Sequence, residues 1–350
     1  MERIAIGMSG GVDSSVAAAI LKEQGYDVVG ITMRLWDGED VPEKDAKAVA
    51  GKLGIEHHFV DMRDEFSKIV VDYFTAEYLK GRTPNPCIVC NKYLKFDAMF
   101  KAAEELGCTK LATGHYAKVE FDEKRKRYIL SCADSKKDQT YALYLLSQEQ
   151  LSRTVMPLGE FASKEEVRGK ARELGFEIAD KADSMEICFI PDKDYVSFIK
   201  KRTNACMPSG DFVDTDGNVL GKHQGIINYT IGQRKGLGIA FGKPMFVTKI
   251  DAEKNQVVLG VSGEEFSQKL VCRDLNFISI EAPKQPFYAE AKIRYSAPKA
   301  MAKITPIGEE MLVEFEKPQR AVTPGQAVVF YEPDSNIVMG GGTIDRQEGK

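Results

Sequence analysis

No stretch of the sequence approaches the ~18 uninterrupted apolar residues that a membrane-spanning helix requires, which argues against a membrane protein. Met1-Glu2-Arg3 runs straight into a core strand without a secretory signal, so the expected address is the cytoplasm. Charge of one sign is not in large excess: 48 basic residues face 52 acidic ones, a net charge of -4. That balance excludes indiscriminate coating of nucleic acid but leaves room for a local basic groove. The seven cysteines are odd in number and the chain is long, so they read as free, catalytic or metal-binding thiols, not a disulfide framework. Cys87-x-x-Cys90 has no second Cys-x-x-Cys to pair with, which argues against a four-cysteine zinc site. Repeats and low-complexity tracts are also missing. A chain of 350 residues is expected to hold two or three domains.

What is present starts at the N-terminus. Residues 3–8 read as a short buried strand, 9–15 as a tight glycine turn, and 15–24 as a helix ending at Gly25. A strand feeding a glycine turn at a helix N-terminus suits a phosphate, because unpaired N–H groups and the helix dipole both favour an anion there. The spacing is neither that of a Walker loop, which needs a lysine, nor that of a dinucleotide fingerprint. Ser-Gly-Gly-x-Asp-Ser instead resembles the PP-loop of ATP pyrophosphatases, which split ATP into AMP and pyrophosphate. Gly10 and Gly11 would let backbone approach the pyrophosphate, Ser9 and Ser14 would supply hydroxyls, and Asp13 would hold magnesium or position the loop.

A second strand over 26–33, a helix over 44–53, a strand over 55–60 and an amphipathic helix over 64–81 continue the βαβ pattern of a doubly wound parallel sheet. Ligands in such sheets sit beyond the strand C-termini, which puts Met33 beside the loop as an adenine wall or as core filler. His57-His58 reads as surface and core imidazole. Pro84-x-Pro86 forces an extended path up to Cys87, and a helix over 93–106 sets Cys90 near its N-terminus, where the dipole lowers a thiol pKa. A strand over 110–116 ends in Gly114-His115, with Gly114 free to approach a nucleotide. The polar loop 134–140 carries Lys137, Asp138 and Gln139, groups suited to phosphate, base or sugar or simply to solvent, and leads into a helical run over 141–150. Ser163–Glu166 reads as a structural capping box. Cys188, between apolar residues at a short strand, reads by itself as a buried small hydrophobe. From 201 onward short strands with turn signals recur, and from 269 they imply a small β-barrel. The expected fold class is α/β: a doubly wound N-terminal sheet over 1–200, a small mixed central domain over 201–268 and a C-terminal barrel over 269–350.

Taken together, Ser-Gly-Gly-Val-Asp-Ser-Ser, Gly-Arg-Thr-Pro-Asn-Pro-x-x-x-Cys-Asn-Lys, Ala-Thr-Gly-His-Tyr, Lys-Asp-Gln, Ile-Cys-Phe-Ile and His-Gln-Gly...Gly-Gln-Arg-Lys-Gly-Leu-Gly resemble the tRNA-specific 2-thiouridylase family, in order and over essentially the whole chain. The resemblance implies ATP-dependent replacement of O2 of the wobble uridine by sulfur in lysine, glutamate and glutamine tRNAs. It implies that Gly7, Met8, Ser9, Gly10, Gly11, Val12, Asp13, Ser14, Met33 and Gly114 bind ATP with Mg2+. Cys90 would be the nucleophile and Cys188 the persulfide carrier, ending as a disulfide, while Asn85, Pro86 and Cys87 would face the target base. His115, Lys137, Asp138, Gln139, Arg294, Tyr295 and Gln326 would contact tRNA. Implied partners are tRNA and a sulfur-donor protein, a cysteine desulfurase or relay protein, with the chain acting as a monomer. Cys87 departs from the family pattern, in which many relatives carry Asp. With Cys87 in place, Cys87, Cys90 and Cys188 are also a candidate ligand set for a [4Fe-4S] cluster that binds hydrosulfide. A PP-loop ligase or amidotransferase and an RNA-binding or iron-sulfur protein are the rival readings.

Overall fold

The computed structural model describes residues 1–37, 43–181, 187–204, 208–239 and 242–348. The strands β1 (Arg3–Gly7), β2 (Asp27–Arg34), β3 (Glu56–Asp61), β4 (Lys110–Ala112), β5 (Ala117–Asp122), β6 (Arg127–Cys132) and β7 (Thr154–Val155) come first. Five of them form a parallel sheet in the order β3-β2-β1-β4-β7, and β5 and β6 form a hairpin. β1 is apolar and buried over Ile4, Ala5 and Ile6 because both its faces are covered there. Ile4 and Ile6 point into a core with α1 (Val12–Glu23), α2 (Glu43–Leu53) and the helix carrying Val167 and Ala171, whereas Ala5 points to the opposite core with Met99, Phe100 and Leu111. This is the expected α/β architecture.

The chain over 63–79 runs as α3 (Arg63–Phe66), a π-helical turn Ser67–Val71 and α4 (Asp72–Leu79). The cysteine motif opens α5 (Pro86–Cys90), continues through a π-helical stretch Asn91–Ala98 and ends in α6 (Met99–Glu105). The helix therefore begins earlier than the prolines imply. Pro86 sits at its first position, where a missing N–H costs nothing, and Asn85 caps it. The expected helix over 141–150 does not form; a 3-10 turn Thr140–Ala142 is followed by α7 (Gln148–Ser152), which has its own Ser147–Gln150 capping box. Tyr141, Leu143, Tyr144 and Leu146 are all buried, more sides than one helical stripe can cover, and Asn276 of the barrel takes the carbonyl oxygens of Tyr144 and Leu146 at 2.7 and 3.1 Å.

α8 (Lys164–Glu173) packs on α1, and α9 (Tyr195–Thr203) packs on α4. The capping box at Ser163 is only half made: Ser163 accepts from Glu166 N, but Glu166 accepts from Ala162 N. A small central sheet of β8 (Gly210–Val213), β9 (Val219–His223), β10 (Met245–Asp251) and β11 (Gln256–Val261) follows in the order β10-β11-β8-β9. The last part is a closed antiparallel barrel, β12-β15-β14-β13-β16-β17, of β12 (Phe266–Phe277), β13 (Phe287–Lys292), β14 (Ala300–Ile307), β15 (Glu310–Arg320), β16 (Ala327–Tyr331) and β17 (Val338–Glu348). Arg294 and Tyr295 lie just beyond β13 and not within a strand. No helix of the described residues is long and apolar enough to cross a membrane.

Candidate active site

β1 delivers Met8 to the mouth of the sheet, where its N–H donates to Ile31 O. Gly10 adopts φ +67, the left-handed region that glycine tolerates, and reverses the chain into α1. The N-cap of α1 is Gly11, which has no side chain to satisfy the first-turn N–H groups. Ser14 Oγ accepts from Ser9 N at 3.1 Å and donates to Gly11 O at 3.2 Å, and the Ser9 and Ser14 hydroxyls lie 3.3 Å apart. Gly7 leaves just enough room for Met99, and a Cβ on Gly114 would lie 2.7 Å from Ser14 N. The close approach that Gly114 permits is thus to the loop backbone itself. Met8 and Val12 are buried in the core, and Met33 is half-buried at the end of β2. Behind the loop, the Thr32 hydroxyl donates to Met8 O at 2.8 Å and so accepts from His57 Nε2–H, also at 2.8 Å.

Asp13 is held on both carboxylate oxygens. Tyr116 Oη donates to Oδ1 and Lys164 Nζ to Oδ2, each at 2.6 Å. Gln139 in turn locks Tyr116: its Oε1 accepts from Tyr116 N, and its own N–H donates to Tyr116 O, both at 2.9 Å. Gln139 therefore supports the loop from behind. Tyr116 and Lys164 went unassigned by sequence reasoning; Lys164 lies 151 residues from Asp13 and only the packing of α8 on α1 brings it there.

The sulfur-bearing residues gather nearby. Cys90 belongs to a core cluster with Phe66, Phe74, Leu94, Phe189 and Ile190, against which Leu35 from the end of β2 also packs. Cys188 sits in the turn Ile187–Ile190, closed by Ile190 N donating to Ile187 O at 2.9 Å, and is exposed. Its neighbours at 182–186 lie outside the described residues. Two expectations need correction: Cys188 is neither buried nor on a strand, because its flanking Phe189 and Ile190 take the core and leave it at the rim. Cys90, expected to be acidified by the helix dipole, is instead pushed up to about 11 by burial, which outweighs the nearby Lys95. Cys188 is likewise raised, by the protein packed around its thiol and then by Cys87, so the three thiols lie close enough to feel one another's charge. Among the described residues, however, no three Cys, His, Asp or Glu side chains converge as metal ligands, so the thiols do not form a ready cluster cage.

Of the residues expected to face a base, only Cys87 is exposed; Pro86 is buried, and Asn85 Oδ1 accepts from Cys87 N at 3.2 Å. Asn91 and Lys92 staple this helix to the 141–146 segment through Ala142 O and Leu145 O. His115 is stacked on Phe96, shares a hydrogen bond with Thr113 Oγ1 at 2.9 Å, and is pulled down to about 3 by burial, so it is neutral. The remaining expected RNA contacts divide. Asp138 accepts from the Thr140 hydroxyl at 2.8 Å, and its charge reaches Lys292 and the exposed Tyr295 of the barrel. Arg294 acts on Tyr141, and its Nε is buried with no hydrogen-bond partner among the described residues. Lys137, on the same loop, donates its N–H to Ser135 Oγ. Gln326 is elsewhere, with its amide on Thr83 O at 2.8 Å.

Residues 2–192 match the family profile described as a tRNA methyl transferase HUP domain, 196–261 a tRNA methyl transferase PRC-barrel domain, and 267–344 an aminomethyltransferase beta-barrel domain. The chain is 54% identical to the tRNA-specific 2-thiouridylase MnmA of Acetivibrio thermocellus, covering 98% of this chain and 99% of that one. It is 51% identical to the protein of the same name from Clostridioides difficile, over 99% and 98% of the two chains. The identity is again 51% to that of Clostridium acetobutylicum, over 98% and 99%. With such identity sustained from end to end, the chain belongs to the tRNA-specific 2-thiouridylase family.

Proposed function

We propose that this protein is an ATP-dependent tRNA-uridine 2-sulfurtransferase acting on the wobble uridine of lysine, glutamate and glutamine tRNAs. The observation that carries the reading is the gathering of Cys90, Cys188 and Cys87 at the end of the sheet whose first strand opens into the Ser9–Ser14 loop. Paired thiols suit sulfur transfer, in which one carries the sulfur and the other resolves the carrier. The domains divide at about 200 and 268, and the protein is a cytoplasmic monomer that receives sulfur from a cysteine desulfurase or a relay protein.

Uracil O2 is a poor leaving group. Its attack on the α-phosphorus of ATP expels pyrophosphate and leaves O2 as an adenylate ester, which departs readily as AMP. The loop N–H groups, Ser9 and Ser14 receive the phosphates, and Met33 and Gly114 bound the nucleotide. Magnesium would neutralise pyrophosphate charge, and Asp13 is the carboxylate suited to it. The terminal sulfur of a Cys188 persulfide then attacks C2 and AMP leaves. The Cys90 thiolate attacks Cys188 Sγ, breaking the S–S bond so that the terminal sulfur stays on C2 as 2-thiouridine. A Cys90–Cys188 disulfide remains, and two electrons and two protons from an external thiol reductant reopen it. Asn85, Pro86 and Cys87 lie at the base, while His115, Lys137, Asp138, Gln139, Arg294, Tyr295 and Gln326 shape the tRNA footprint. Nucleoside analysis of tRNA incubated with ATP and a persulfide source tests the reading: 2-thiouridine forms, and pyrophosphate is released only with tRNA present. Pyrophosphate release without tRNA would instead favour a PP-loop ligase or amidotransferase.

A further inference from the structure

One long window of this acidic chain holds no carboxylate. Residues 217–250 carry Lys222, Arg234, Lys235, Lys243 and Lys249 but neither Asp nor Glu, although the whole sequence has a net charge of -4. Two of these cations are neutralised from outside the window, Lys222 by Asp211 at 2.7 Å and Lys249 by Asp251 at 3.6 Å. Of the rest, Arg234 and Lys235 stand exposed side by side in the loop between β9 and β10, with no ion-pair partner among the described residues. The loop that carries them is nonetheless fixed. Gln233 Oε1 accepts from Thr230 N at 2.9 Å, and Gln233 Nε2 donates to Lys235 O at 3.0 Å. Gly232 N donates to Val247 O of β10 at 2.8 Å, Val247 N donates back to Gln233 O at 3.0 Å, and Leu237 is buried with Tyr229 and Met245. On the barrel side Arg320 donates to Gly232 O at 3.3 Å, and a Cβ on Gly232, at φ +85, would lie 2.5 Å from Ala321 Cβ. The two cations are thus presented at a set place, with little loop entropy left to lose on binding. The same stretch is rooted beside the thiols: Ile227 packs in the cluster of Cys90, Phe189 and Ile190, and the chain from Ile227 to Arg234 spans at most about 25 Å.

We propose that Arg234 and Lys235 form a phosphate-binding surface that grips the backbone of the tRNA arm carrying the target uridine. The side-chain amide of the loop, on Gln233, is taken up within the loop itself, so what the loop offers is charge. Charge suits phosphate, and a phosphate contact positions the RNA without reading its sequence. This inference rests on the tRNA reading above.

The test titrates labelled tRNA against the full chain at several salt concentrations, normalised to folded protein. The double variant Arg234→Ala with Lys235→Ala binds roughly 10-fold or more weakly at low salt, and its slope of log affinity against log salt is shallower by between about one and two, since each lost phosphate contact removes about one counterion. Exchanging the two residues, Arg234→Lys with Lys235→Arg, keeps most of the affinity and of the slope. The loss from the alanine pair is the same for a substrate tRNA and for a tRNA that is not a substrate, and thermal unfolding and nucleotide binding stay as in wild type. An unchanged slope in the alanine pair overturns the inference. So does an exchange variant as weak as the alanine pair, or a loss confined to the substrate tRNA. Normal tRNA binding with slowed loading of sulfur onto Cys188 by a cysteine desulfurase also overturns it, and makes the loop a docking surface for the donor protein. Wild-type protein that binds no tRNA removes the tRNA reading, and this inference with it.

Discussion

Gln326 Nε2 donates to the Thr83 carbonyl oxygen over 2.8 Å, joining residues 243 apart and fixing the segment that leads into Cys87 against the barrel. Thr83 N returns the contact to Pro324 O at 2.9 Å, and Arg82 reaches Asp345 and Ile344 O, both at 3.0 Å. Between these contacts Gly325 holds φ +92, and a Cβ there would lie 3.1 Å from the Thr83 backbone. The barrel thus helps set where the cysteine helix begins.

Gly325→Ala forces a side chain into the left-handed region at a cost of about 1–2 kcal/mol and pushes on Thr83. The expected result is reduced 2-thiouridine formation with nucleotide affinity unchanged, since the loop at Ser9 is built from other elements. Equal losses of both would show that the barrel contact stabilises the whole protein instead of aiming the cysteine helix.

The thiols separate by role. Cys90→Ser and Cys188→Ser abolish thiolation while nucleotide binding persists, whereas Cys87→Ser keeps substantial activity because the persulfide route does not use it. Iron and sulfide analysis after anaerobic purification is the companion measurement; stoichiometric iron with all three variants dead would end the persulfide account. A Cys90 thiol at about 11 is ionised to roughly one part in ten thousand at pH 7. Its alkylation by iodoacetamide, followed by mass spectrometry, therefore rises about tenfold per pH unit from 7 to 10. A plateau below pH 9 would contradict the burial account.

His115 is neutral in the fold because burial pulls it down to about 3 from an ordinary value near 6.5. Its folded pKa lies below its unfolded one, so the unfolded chain binds the extra proton. The contribution is intact above pH 6.5 and is lost as pH falls from there toward 3, at up to about 1.4 kcal/mol per unit. Urea unfolding of wild type and His115→Gln between pH 7 and 5 reads the difference: the gap between them narrows as pH falls. A constant gap would mean that His115 titrates in the fold as it does in the unfolded chain.

Much of the fold was legible because it follows from local pattern. The strands expected over 3–8 and 26–33 are observed as β1 over Arg3–Gly7 and β2 over Asp27–Arg34, and the expected C-terminal barrel is there. The misses lie where long-range packing overrides local preference. The segment over 141–146 has a helical look, but the Asn276 amide donates to the Tyr144 and Leu146 carbonyl oxygens that a helix would use internally, and the Tyr141 hydroxyl is drawn to Ala327 O of the barrel. The loop was visible as a motif. Its charge balance was not, since Lys164 and Tyr116 reach Asp13 from distant parts of the chain and neither carries a local signal. Cys90 shows the same limit from the other side: helix position predicts an acidic thiol, and only the packing of Phe66, Leu94 and Phe189 around it reveals the opposite shift.

The RNA footprint is tested at Arg294. Tyr295 is 48% exposed beside Lys292, whose ammonium lies 5.4 Å from its ring, and Asp138 approaches both from the opposing loop. Burial lowers the Lys292 pKa, so added phosphate there would be met by a cation with few competing waters. Arg294 stands next to this pair with a buried Nε lacking a hydrogen-bond partner among the described residues. If its guanidinium reaches a phosphate, Arg294→Ala weakens tRNA binding and reduces the salt slope by about one counterion, while an effect on folding alone would lower the active fraction and leave the slope alone. Titrations of labelled tRNA at several salt concentrations, normalised to folded protein, distinguish the two; an unchanged slope removes Arg294 from the footprint and leaves Lys292 and Tyr295 as the residues to vary next.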